Sequence, residues 1–309
     1  YLLSHSVGRP LVNARNALAT KYFEPWESGR ADVWDNWLGA IAGFNEAVAG
    51  LLNTRAGQVC PQTNLSSALT KILFSLPTLD RRKTIVLTEN DFPSMGFVLD
   101  KARPAGHELS HIGAAENAAD IGTWERRLDE EVAVVFITHV HSDTSCCVPV
   151  ADITRLARER GILSVVDIAQ SAGVVPIDLA LWQADFVIGS CVKWLCGGPG
   201  AGFLWMSDQM TEVAEPIDVG WFSHEQPFEF DIHNFRYADS ALRFWGGTPS
   251  VMPYVIGTNA IAHLVEFGID RIRQHNIELS DLLADAAATC AKEEAAGATS
   301  DDLCHLMGG

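Results

Sequence analysis

Ser164-Val165-Val166-Asp167-Ile168-Ala169-Gln170 is an apolar run that ends on a carboxylate. Soon after it, Ala184-Asp185-Phe186-Val187-Ile188-Gly189 runs into Ser190-Cys191-Val192-Lys193, and the glycine cluster Gly197-Gly198-Pro199-Gly200 follows. Each apolar run has the length of a buried strand, and the gap between them has room for a crossover. Two such strands in parallel bring Asp167 and Lys193 to the same edge of a sheet, the edge where open α/β sheets bind ligands.

Working outward, short apolar runs alternate with helical patterns, as parallel βαβ units do. The runs are Thr84-Ile85-Val86-Leu87, Val132 to Thr138, Ile162 to Asp167, Ala184 to Gly189 and Ala201 to Met206. Trp34, Trp37, Leu38, Ile41, Phe44, Val48 and Leu51 recur at helical spacing and predict a helix over 33–52, its tryptophans turned to the core. Leu65, Leu69, Ile72, Leu73 and Leu76 predict another, with Thr63 or Asn64 at its N-cap. Unpaired N–H groups at such a start attract anions. A helix over 150–160 closes at Gly161, and a long one runs from about Val251 to Ala295 with a break near Gly268. Tyr1 to Pro10 reads as extended, with a turn at Gly8-Arg9-Pro10.

The chain of 309 residues can bury a large core, and its 22 Lys+Arg against 39 Asp+Glu leave a net charge of −17. An acidic surface argues against nucleic acid or an anionic membrane as partner. The seven cysteines form neither a zinc spacing nor a disulfide framework, which fits reduced thiols in a cytoplasmic enzyme. No leader and no membrane-length apolar run is visible, and the abrupt Gly308-Gly309 end fits a chain that stops short of its natural terminus.

Taken alone, Asp167 reads as a helix cap and Lys193 as a solvated strand end. As a pair they are the protein half of pyridoxal-phosphate chemistry: an imine-forming amine, and an acid that keeps the ring nitrogen protonated. Burial beside Trp194 lowers the pKa of such a lysine and fits it to move protons. Gln170 stands within reach of the ring's 3-oxygen.

These motifs resemble the fold-type-I pyridoxal-phosphate superfamily of class V aminotransferases, cysteine desulfurases and kynureninases, with kynureninase nearest. Asp167 to Gly173 is similar to its Asp-x-Ala-His/Gln-x-x-Gly stretch, and Ser190 to Lys193 to its Ser-x-x-Lys motif. Gly220-Trp221-Phe222-Ser223-His224-Glu225 and Phe92-Pro93-Ser94 resemble kynureninase signatures. Leu242 to Pro249 resembles the segment that donates a threonine or asparagine to the neighbouring subunit's cofactor phosphate.

The resemblance implies an α/β fold with a seven-stranded, mostly parallel sheet and helices on both faces, although only five strand runs are visible. A smaller α+β domain would be built from both chain ends: 1–49 and 263–309 would flank a large cofactor domain, 50–262. It further implies Lys193 as Schiff-base lysine, Phe92 stacked on the ring, and Thr138 near the ring. Thr63, Asn64, Ser190 and Thr248 would serve the phosphate, with Trp221 lining the phosphate or substrate side. Thr248 would act across a homodimer interface. The activity implied is kynureninase-like Cβ–Cγ hydrolysis of an α-amino acid. The alternatives are C–S cleavage, with Cys290 or Cys304 as nucleophile, and transamination.

The substrate half departs from the pattern. Val192 stands where kynureninases carry tyrosine, His5-Ser6-Val7-Gly8 replaces Asn-Ser-Leu-Gly, and Phe23 occupies the place of a histidine ahead of Pro25-Trp26. A third possibility is a relative that keeps the fold or cofactor as a binding module. A rival from another class is Thr138-His139-Val140-His141-Ser142-Asp143, a His-x-His-x-Asp pattern that resembles the zinc ligands of metallo-β-lactamase-type hydrolases.

Overall fold

The computed structural model describes residues 1–76, 82–104 and 106–295, the last four of these by backbone alone. Cys304 and the Gly308-Gly309 end lie outside the described residues.

One sheet carries the chain. Its strands are β1 (Val59–Gln62), β2 (Thr84–Thr88), β3 (Glu108–Ile112), β4 (Val132–Thr138), β5 (Leu163–Asp167), β6 (Phe186–Ser190) and β7 (Gly202–Met206). They lie in the order β1-β7-β6-β5-β4-β2-β3. Pairing is parallel from β3 through β6, and β7 runs antiparallel to both of its neighbours.

The central strands are apolar throughout because both faces are covered. On β4, Val135 and Ile137 join one core and Val134 and Phe136 the other, the period-2 alternation of a strand. The first core is closed by helices α1 (Val33–Leu51) and α5 (Met252–Phe267), where Phe44 meets Tyr254 at 4.9 Å between ring centroids. The second is closed by α2 (Leu65–Leu73) and α3 (Pro93–Ala102), through Leu69, Ile72, Met95 and Leu99. Helix α4 (Val150–Glu159) buries Ile153 and Leu156 against the first core.

Two strands, β1 and β3, were not visible in the sequence, and both are edges. β1 contains Pro61, whose missing N–H costs nothing where no second neighbour needs it. β3 buries only Ile112, and the polarity of Glu108 and His111 protects an open edge while hiding the alternation.

Two further expectations need correction. Trp34 and Trp37 are half-buried rather than core, because they join a surface aromatic group. Tyr22 stacks on Trp37 at 5.1 Å and Trp34 meets Trp221 edge-on at 5.8 Å. The amino-terminal turn falls at Ser4–Ser6, where Ser6 and Val7 donate to the Leu3 carbonyl. Gly8 is instead pressed against the turn that carries Lys193. The break at Gly268 is as expected, at φ +99, and it leads into α6 (Ile269–Ala295).

Candidate active site

Strand register lines up the site. Thr138 pairs with Asp167, Asp167 with Ile188, Ser190 with Gly202, and Gly202 with Gln62. The carboxyl ends of β4, β5 and β6, the start of β7 and the end of β1 therefore form one row. Asn64 begins α2 just beyond it, and its Oδ1 accepts from Ser67 N at 2.8 Å.

Asp167 is 4% exposed, and its Oδ1 accepts from Ala169 N at 2.7 Å. Burial pushes the carboxyl up from 3.8 to about 6, opposed by the Ala169 N–H and the Lys193 charge. Lys193 sits in the turn after β6, half-buried, its pKa lowered by burial and raised in part by Asp167. Its Nζ lies 5.4 Å from the centre of the Phe92 ring. Phe92, at the start of α3, is 46% exposed, so a face of its ring is open to a ligand.

Beside Asp167, Thr138 Oγ1 and Asp91 Oδ1 are buried, and the Thr138 hydroxyl faces the Asp91 carboxyl. Asp91 was not singled out in the sequence, yet like Asp167 it follows the carboxyl end of a strand, just before Phe92. Its Oδ2 accepts from Thr88 N at 2.8 Å, and its Oδ1 lies 3.8 Å from His141 Nε2. Burial raises the Asp91 carboxyl and lowers the His141 imidazole, so the environment favours a neutral pair.

The other expected residues are spread around this centre. Ser190 Oγ accepts from Val192 N at 3.4 Å, which leaves its O–H free to donate. Thr63 is exposed beside Asn64, and Thr248 is exposed on the turn after Gly246 and Gly247. Trp221 opens a short helical turn and stacks near Phe230, where a mainly apolar hollow of about 490 Å³ also takes in Val219 and Phe235. That hollow does not include Lys193 or Asp167. Gln170 is held by protein partners: its Nε2 donates to the His5 carbonyl at 3.1 Å, and its Oε1 accepts from Trp194 Nε1 at 2.9 Å. One N–H of the amide remains for a ring oxygen.

The zinc alternative does not survive the geometry. His139 is edge-on to Trp182 at 5.0 Å, His141 faces Asp91 and Thr88, and Asp143 accepts from Asn90 at 2.9 Å. The three side chains point to different neighbours because they lie beyond the end of β4 at Thr138, where the chain turns through 142–144 and the strand's alternation no longer aligns them. Among the described residues no three His, Cys, Asp or Glu side chains converge as a metal site. Burial pushes the His139 imidazole down to about 4, so the ring is neutral at pH 7.

Of the cysteines, Cys60 and Cys191 are buried with raised pKa values, the first to about 12. Cys290 lies on α6 rather than on a loop. Among the described residues no helix is long and apolar enough to cross a membrane.

The donor set fits pyridoxal phosphate: a buried acid, an amine with lowered pKa, an open aromatic face, and the buried hydroxyl of Thr138 at the same strand edge. The comparisons agree. The family model for class-V aminotransferases matches residues 27–305. A kynureninase of Pseudomonas fluorescens is 29% identical over 317 residues, covering 95% of this chain and 72% of the relative. An uncharacterized aminotransferase of Bacillus subtilis (strain 168) is 26% identical, covering 87% and 73%. Among solved structures, a mutant of the cystine C–S lyase C-DES with glycine covalently linked to its PLP cofactor superposes with TM-score 0.81 at 20% identity, covering 92% of this chain and 76% of that one. An apo cysteine desulfurase from Thermococcus onnurineus NA1 gives 0.79 at 18%, covering 93% and 72%. At those identities the structural likeness speaks for the fold alone. With the family model spanning most of its length, the chain belongs to the class-V aminotransferase family of pyridoxal-phosphate enzymes.

Proposed function

We propose that this enzyme acts at Cα of an α-amino acid and goes on to cleave the Cβ–Cγ bond hydrolytically, as kynureninases do. The observation that carries the first half is the placement of Asp167, Lys193 and Phe92 around one space at the carboxyl edge of the sheet. The likeness to kynureninase over 95% of the chain supports the choice of bond.

Bound pyridoxal phosphate supplies an electron sink conjugated to the substrate's Cα. Asp167 holds the ring-nitrogen proton: its burial disfavours a lone carboxylate, and a cation beside it restores the ionised form. Phe92 would cover one face of the ring, with Lys193 Nζ close by, 5.4 Å from the centre of the Phe92 ring. The Lys193 amine would take the substrate's Cα proton, a role its lowered pKa suits. Thr138 and the remaining N–H of Gln170 donate toward ring oxygen. Thr63, Asn64, Ser190 and the Trp221 side hold the phosphate end. Thr248, exposed on its turn, would serve the cofactor phosphate of a neighbouring subunit in a homodimer.

The test is a visible spectrum of the purified protein with pyridoxal phosphate, followed by addition of L-kynurenine, 3-hydroxykynurenine and cysteine. A yellow band that shifts with a kynurenine, with anthranilate fluorescence and alanine appearing together, is the expected result. A yellow protein that forms a keto acid or sulfide instead overturns the Cβ–Cγ assignment and keeps the cofactor site. A protein that stays colourless overturns both.

A further inference from the structure

We propose that Lys71 is a positioning residue for the phosphate side of the site, a strut that fixes α2 against the turns carrying Trp221 and Thr248. The inference rests on the cofactor reading above and assigns a role to a residue that touches no cofactor.

Lys71 lies in the last turn of α2, and its side chain is only 11% exposed. An ammonium group has three N–H donors. Three acceptors surround this one: the Phe244 carbonyl at 2.8 Å, the Trp245 carbonyl at 3.0 Å and Asp218 Oδ2 at 3.3 Å. A lysine that merely answered the helix dipole would sit in water near the end of its own helix. This one is desolvated and spent entirely on another segment.

The segment it grips is pinned a second time. Gln62 Nε2, from the last residue of β1, donates to the same Phe244 carbonyl at 3.0 Å. Both ends of the stretch from Gln62 to Lys71, with Thr63 and Asn64 inside it, therefore hold one carbonyl.

Beyond Phe244 the two turns are built as one block. Gly246 N donates to Ser223 Oγ at 2.9 Å, and Phe222 N donates to the Gly246 carbonyl at 3.1 Å. Gly220 N donates to the same Ser223 hydroxyl at 3.2 Å. A Cβ on Gly220 would lie 2.5 Å from the Gly246 carbonyl, and Gly246 itself has φ +104. The turn that opens at Trp221 and the Gly246 turn that leads to Thr248 are thus tied together, and Lys71 sets where they stand relative to Asn64.

The experiment measures pyridoxal-phosphate affinity by quenching of tryptophan fluorescence on the full chain stripped of cofactor. It also records the ³¹P resonance of the bound cofactor and the melting temperature, for wild type, Lys71→Met and Asp218→Asn. Loss of a charge-assisted contact set is expected to weaken binding about tenfold in Lys71→Met. The phosphate resonance is expected to move with it. Asp218→Asn, at a position 64% exposed and safe for folding, is expected to weaken binding about threefold with a smaller shift in the same direction. Unchanged affinity and resonance in both variants overturn the inference. So does a lower melting temperature with an unmoved resonance, which marks a merely structural lysine. Should Lys71→Met fail to fold, Asp218→Asn alone decides. Failure of the wild type to bind pyridoxal phosphate overturns the cofactor reading beneath, and is a different result from either.

Discussion

Replacing Asp167 by asparagine should stabilise the cofactor-free protein at neutral pH and weaken the cofactor complex. The carboxyl titrates near 6 in the fold against 3.8 when free, because burial outweighs its Ala169 N–H bond and the Lys193 charge. A raised pKa means that the folded state binds more protons than the unfolded state between about pH 4 and 6. Stability is therefore lost as pH rises through that window, and the loss levels off above it. The difference amounts to about 3 kcal/mol at pH 7 and above. Asparagine keeps the shape and an oxygen that accepts from Ala169 N, and carries no charge to desolvate. Asp167→Asn without cofactor should then be more stable than wild type by about 3 kcal/mol at pH 7.5, with the gap closing toward pH 4. In urea unfolding this is a midpoint difference of about 1 M, if the slope is about 3 kcal/mol per M. With cofactor bound the order should invert, since the asparagine cannot answer the protonated ring nitrogen, and affinity should fall at least about tenfold. A variant no more stable than wild type at pH 7.5, or a gap that persists at pH 4, would refute the argument that burial sets this carboxyl's charge.

Lys193→Ala should retain its fold by circular dichroism while turnover drops by at least about 10² to 10⁴, the usual scale for a positioned acid–base group. Full activity in that variant would remove Lys193 from the chemistry. Phe92→Leu should weaken pyridoxal phosphate about 3- to 10-fold in a fluorescence titration, since an aliphatic chain cannot stack on the ring; an unchanged affinity would place the ring elsewhere. In Gly8→Ala the new Cβ would start 2.0 Å from the Lys193 carbonyl and 2.9 Å from Cys196 Cα and Sγ. Relief of that overlap, at about 1–3 kcal/mol, should detach the segment. Faster hydrogen exchange over residues 1–9 with a raised KM is the expected outcome, and wild-type exchange would show that the segment is not held there.

Some of this site could be seen in the sequence, for a physical reason. Asp167 ends a strand buried on both faces and Lys193 follows closely on the end of another, and burial forces long apolar runs whose polar ends stand out. The same logic marks Thr138 at the end of β4, and a helix cap marks Asn64. Edge strands lack that contrast: β1 is interrupted by Pro61 and β3 is polar on purpose of exposure, so neither could be read from alternation. Asp91 escaped notice because three residues past a strand end is also where loop aspartates sit. Only its burial against Thr88 and His141 sets it apart.

The contacts that shape the rest join residues far apart in the chain. Gln170 meets His5 across 165 positions, and Lys71 meets Phe244 across 173. No local period or cap encodes such a pair, because each partner satisfies ordinary local rules where it stands. Residues at strand ends were therefore legible in the sequence, and residues joined by long-range contacts were not. Thr138, Asp167 and Ser190 end their strands, and a strand end's chemistry is local to the sheet. The amino-terminal segment, the aromatic surface group and the two interlocked glycine turns take their places only once the chain has folded. Val192 makes the point: its side chain has nothing to donate where kynureninases place a tyrosine, yet its carbonyl receives Gly8 N at 2.8 Å. At that position, the backbone ties the amino-terminal segment to the lysine turn, and a substrate must be oriented by groups that the folded chain brings in from elsewhere.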